Sequence, residues 1–137
     1  MAMKDRKLVS LKQIEGKISP HHGGLEHGLK QRTEALEYVD DVSSLAAYIG
    51  GTVEIVGMGE DWAIGKEIFP GVDLYFIYNH GDDEFPGTLR ALYSGDRVMM
   101  MSGEDLSGLT IAVVTHMLRC VRESNPDKQL PKVCYRV

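Results

Sequence analysis

Three consecutive carboxylates, Asp82, Asp83 and Glu84, stand two residues after His80 in the polar run from Asn79 to Pro86. Carboxylate oxygens suit magnesium, calcium or manganese, and an imidazole beside them would serve as base or ligand near neutral pH. The spacing works against a preformed ion site. Adjacent side chains in an extended stretch point to opposite sides, so three in a row converge only where the backbone loops. The alternating acids of an EF-hand loop are absent. A solvated hairpin tip is the expectation for these residues, with the ion or substrate site as the alternative. Two further acidic turns, Glu60 with Asp61 and Glu104 with Asp105, could join them if the topology brings all three to one edge of a sheet.

His21, His22 and His27 form a second cluster and the alternative metal-ligand set. Helical zinc ligands sit about one turn apart, whereas His22 and His27 are five residues apart and no cysteine accompanies them, so a histidine-bearing surface loop is the expectation. No metal site is assigned and no cofactor is indicated. The chain carries no phosphate-binding loop, no dinucleotide fingerprint, no Gly-x-Ser-x-Gly elbow, no His-Glu-x-x-His and no Cys-x-x-Cys. Cys120 and Cys134 are too few for a disulfide framework or an iron–sulfur cluster, and they fit a reducing compartment. A formal net charge of -5 disfavours phosphate backbones and anionic membranes. No apolar run reaches the roughly 18 residues that span a bilayer, so a cytoplasmic chain is expected, with no nucleic-acid or membrane partner.

The elements that must position these groups follow from periodicity. With 137 residues, 43% of them hydrophobic, the chain is expected to form one domain over 25–124. A weakly structured segment at 1–24 would precede it and a tail at 125–137 would follow. Leu25, Leu29, Leu36 and Val39 share one helical face, weakened by Gly28, and a short helix over 44–49 ends at Gly50. The period then changes. Runs 52–58, 62–69, 72–78, 88–93 and 97–101 read as strands, and their short connections require antiparallel hairpins. A long helix over 106–122 follows, with Ser102 as its N-cap and Glu104 and Asp105 at the positive end of its dipole. The tail at 133–137 is expected as an added edge strand. The expected fold is therefore α+β: N-terminal helices, a five-stranded antiparallel meander, and a long C-terminal helix packed on the sheet. Apolar residues cover about 200° of that helix, more than a surface helix requires. Self-association through Leu106–Val121, giving a homodimer or larger oligomer, is expected on that ground.

The turn-rich stretches Glu60 to Trp62, Phe69 to Gly71, Tyr75 to Tyr78, Asp82 to Pro86 and Gly103 to Leu106 resemble a family of small prokaryotic domains of unknown function. That family is associated with anaerobes and with iron–sulfur or corrinoid neighbours. The resemblance spans residues 52–122, implies a soluble single domain, and transfers neither catalytic residues nor cluster ligands.

Two functional readings follow from the residues. The first is a small binding or interaction domain, not an enzyme, with an acidic rim of hairpin tips made by His80, Asp82, Asp83, Glu84, Glu60, Asp61, Glu104 and Asp105. Its partner would be a basic protein or a small cationic ligand. The second is a metal-dependent enzyme built on His80, Asp82, Asp83 and Glu84.

Overall fold

The structure, a computed structural model describing residues 7–137, centres on one antiparallel sheet. Its strands are β1 (Thr52–Glu54), β2 (Trp62–Phe69), β3 (Val72–Asn79) and β4 (Thr88–Ser94), lying side by side in chain order. Pro70 and Gly71 close the β2–β3 hairpin, with Gly71 at φ +79, a left-handed geometry that glycine adopts without a Cβ penalty. In register, Trp62 faces Tyr78, Ile64 faces Phe76 and Lys66 faces Leu74, while β4 sets Leu89, Ala91 and Tyr93 beside the same three β3 residues. The period of two therefore gathers Val72, Leu74, Phe76 and Tyr78 on one face, where they are buried with the apolar sides of the helices. Ala63, Tyr75 and Ile77 lie on the other face, outside that cluster.

The helices are α1 (Leu11–Glu15), α2 (His22–Thr33), α3 (Val42–Tyr48) and α4 (Gly103–Ser124). α4 crosses the sheet from the β2–β3 turn end toward the β3–β4 loop. Ser102 accepts the Asp105 amide at 3.1 Å at its start, and Asn125 at its end donates to Tyr38 O. It is pinned midway. Thr110 donates its single hydroxyl proton to Leu106 O at 2.7 Å, so the Tyr93 hydroxyl, 2.6 Å from Thr110 Oγ1, must be the donor of that second bond. Both residues are fully buried, and burial pushes the Tyr93 phenol up to about 12. α2 packs across α4 at Gly28. A Cβ there would stand 2.6 Å from Ile111 Cδ1, so the glycine that weakens the helix permits the close approach.

Several expectations are corrected. The fifth strand at 97–101 is absent: Val98–Met100 form a 3-10 turn. Gly95 there lies so close to Gly71 O that no Cβ would fit, and Arg97 N bonds Gly71 O at 3.0 Å, which bends the chain across the hairpin end instead of along β4. The first strand stops at Glu54, because the chain turns through left-handed Gly57 and Gly59. The first long helix starts at His22, inside the segment expected to be weakly structured, and gives way to a 3-10 turn over Glu34–Tyr38. Asp41 caps α3 two residues earlier than expected.

The segment 1–24 is not weakly structured where it is described. Val9 pairs with Tyr93, and a Ser10–Gln13 capping box starts α1; residues 1–6 lie outside the described part. The tail forms a 3-10 turn at Lys132–Tyr135 in place of an edge strand, its Val133 and Cys134 packed on the core. The wide apolar arc of α4 is covered within the chain. α1, α2 and α3 pack on it together with the turns at 34–38 and 132–135, and none of its large apolar side chains is exposed. The arc therefore gives no reason for self-association. Among the described residues, no helix is long and apolar enough to cross a membrane.

Candidate functional site

The turns at 59–61 and 79–86 do meet at one end of the sheet. Asp61 N donates to Tyr78 O at 2.9 Å, His80 N to Asp61 Oδ2 at 2.6 Å, and Asn79 Nδ2 to Gly59 O at 2.9 Å. A residue with no sequence signal joins them. Glu37, in the turn after α2, accepts the Gly81 amide at 3.0 Å and stands 3.1 Å from His80 Nδ1. Partial burial works to raise the Glu37 carboxyl. The Gly81 amide, the neighbouring Tyr78 hydroxyl and His80 outweigh that and hold it below the usual carboxylate range.

These carboxylates serve the backbone. Asp82 Oδ1 accepts the amides of Glu84 at 2.8 Å and Phe85 at 2.7 Å, which pull its pKa down. Glu60 Oε2 accepts the Val56 and Gly57 amides and its Oε1 the Met58 amide, so its pKa also falls despite burial. Within the turns at 59–61 and 79–86, Asp83 and Glu84 are the carboxylates left exposed without a side-chain partner among the described residues. Glu104 and Asp105 do not join the rim. β4 ends beside Asp73, at the opposite end of the sheet, and α4 starts from there.

No group of three or more His, Cys, Asp or Glu side chains among the described residues is placed to hold a metal ion. His21 pairs with Glu15 and His22 with Glu26, both at 2.7 Å, while His27 is exposed on α2, so the histidine cluster does not converge either.

Behind the rim, Trp62 stacks on Tyr78 with ring centres 4.9 Å apart, and His80 meets the Tyr78 ring edge-on at 5.0 Å. Burial, then the Glu37 and Asp61 carboxylates, raise the Tyr78 pKa. Its hydroxyl lies outside hydrogen-bond geometry with Glu37, and neither it nor Trp62 Nε1 has a partner among the described residues.

A different place offers room for a ligand. A surface groove of about 710 Å³ runs between α2 and β4, with Leu25 and Leu29 on the helix side and Leu89 and Ala91 on the strand side. Ser10 and Leu11 line one end and Pro86 and Gly87 the other. Its size is that of sites which enclose small ligands or short peptide segments. Its position follows from the chain path. β4 is the last strand of the sheet, and among the described residues its outer edge is paired only once, where Val9 and Tyr93 exchange two backbone hydrogen bonds of 2.8 Å. Ser10 then caps α1 and turns the chain away from the edge. Sequence reasoning missed the groove, because its walls come from separate stretches of the chain that carry no shared motif.

Compared with protein-family models, with curated proteins and with solved structures, the chain matches none.

Proposed function

We propose that this chain is a binding module that holds a segment of a partner polypeptide in the groove between α2 and β4. The supporting observation is the groove itself, an apolar-walled channel along an edge strand whose pairing the chain begins and then abandons. An exposed edge is a template for another chain unless it is covered or blunted, and helix-flanked edges are a recurrent place for peptide docking. The acidic rim is the weaker candidate. Four of its carboxylates, counting Glu37, already accept backbone amides, Glu60 and Asp82 within their own loops and Asp61 and Glu37 from the loop after β3, and a ligand would have to compete with those bonds. A metal-dependent reaction draws no support from side chains that do not converge.

The test is to select a displayed random-peptide library on the folded chain and to map the selected peptides by amide chemical shifts. The reading expects shifts at 22–33 and 86–92. It also expects Gly23→Trp, placed in open space at the groove wall, to abolish binding without unfolding the chain. Shifts confined to 59–61 and 79–86 would return the function to the acidic rim. Recovery of no groove-binding peptide would sink the proposal.

A further inference from the structure

We infer that the occupant is an extended acidic peptide that adds to β4 as a fifth strand, an inference that rests on the groove being the binding site. Ladder phase supplies the first argument. In an antiparallel sheet alternate residues direct both backbone groups to the same neighbour. Tyr93 directs its N–H and C=O outward to Val9, so Ala91 and Leu89 direct theirs outward as well, along the groove. Continuation of the Val9 pairing would set residue 11 opposite 91 and residue 13 opposite 89, yet both positions belong to α1. Among the described residues nothing else pairs with that edge. Residues 87–92 extend roughly 20 Å at about 3.4 Å per residue, room for a strand of four to six residues.

Side-chain alternation sets the composition. In a strand beside β4, residues level with Leu89 and Ala91 face α2, on the side of the groove lined by Leu25 and Leu29. Their neighbours face the other side of the sheet, level with Arg90. Arg90 and Lys30 line the groove and have no ion-pair partner among the described residues, two fixed positive charges against the single carboxylate of Glu26, which His22 approaches at 2.7 Å. The groove is thus locally cationic on a chain whose formal net charge is -5. A peptide alternating apolar and acidic residues satisfies both sides.

A second copy of the chain fits less well. Pairing β4 with its own two-fold mate through Leu89 and Ala91 sets Arg90 directly opposite Arg90, and like charges directly opposite destabilise a strand pair. The peptide is therefore the favoured occupant, and the self-paired dimer is an outcome of the test.

Peptides selected on the groove would be resynthesised with single N-methyl groups at each position and titrated by fluorescence anisotropy against the native chain and the exposed-site variant Arg90→Glu. The inference expects N-methylation to weaken binding at least about tenfold at alternate positions only, because every second amide faces β4. It expects Arg90→Glu to weaken acidic peptides by about fivefold, and replacement of the facing acid by lysine to restore binding to that variant. Groove binding without alternation, or with no response to Arg90→Glu, would overturn the acidic fifth strand while leaving the groove reading intact. Sedimentation showing a dimer that the peptides dissociate would replace the peptide by a second copy. Peptides that bind away from the groove would remove both proposals.

Discussion

Replacing Thr110 by Val should cost more than replacing its partner Tyr93 by Phe, and replacing both should cost less than Thr110→Val alone. The order follows from proton assignment. Thr110 has one hydroxyl proton and gives it to Leu106 O, so it receives the Tyr93 proton. Tyr93→Phe leaves Thr110 still donating and removes one ordinary buried hydrogen bond, a loss of about 1 kcal/mol. Thr110→Val conserves shape but strands the Tyr93 hydroxyl, a donor on a fully buried side chain, without an acceptor. A stranded buried donor costs about 1–3 kcal/mol, and about 2 is expected here. The double replacement removes donor and acceptor together, and apolar pairs of the same shape come close to neutral. Its cost should stay near or below 1 kcal/mol, far under the sum of the singles. Urea unfolding followed by circular dichroism reads these differences, provided the slope with denaturant is unchanged among the four proteins. A Tyr93→Phe variant less stable than Thr110→Val, or strictly additive singles, would refute the proton assignment and with it this account of how α4 is pinned to the sheet.

Tyr78→Phe removes a hydroxyl that helps hold the Glu37 carboxyl low and should let that pKa rise, read by side-chain NMR titration; an unchanged Glu37 titration would show that the hydroxyl plays no part. Glu37→Ala should speed hydrogen exchange at the Gly81 amide while leaving β2 and β3 amides protected, with a stability loss of about 1 kcal/mol. Because the folded Glu37 pKa is depressed, its contribution is present above the unfolded carboxylate value and lost as pH falls through the lower folded one; a difference between wild type and Glu37→Ala that grew on acidification would contradict this. Asp82→Ala should lower the unfolding temperature through the lost Glu84 and Phe85 amide bonds, whereas Asp83→Ala should leave it unchanged, and equal effects in thermal unfolding would deny Asp82 its role in the loop.

Elements whose signals are local were legible in the amino-acid order. The β2–β3 hairpin is written in the alternation of Val72, Leu74, Phe76 and Tyr78 and in the turn at Pro70 and Gly71, and α4 in its Ser102 cap and sustained apolar period. The Ser10–Gln13 capping box was equally present and marks α1, although the surrounding residues lack periodicity. The apolar run at 98–101 satisfies strand and turn alike, and the close approach of Gly95 to the β2–β3 turn decided for the turn. The acidic rim was half legible. Chain order implied that two turns share a sheet end, but the third acidic pair was misplaced once its preceding strand vanished.

What only tertiary structure decided are the contacts between segments that carry no mutual pattern. Glu37 reaches His80 from 43 residues away because the turn after α2 ends against the β3–β4 loop. Gly28, which local propensity counts against a helix, is where the Ile111 side chain of α4 packs against α2 with no room for a Cβ. The groove arises because Val9 pairs with Tyr93 for a single residue before the chain leaves the edge and α2 returns beside it. Periodicity and caps act over a few residues and are written in residue order. Which strand edge stays open, and what faces it, depends on how distant apolar faces share one core, and that is settled only when the whole chain packs.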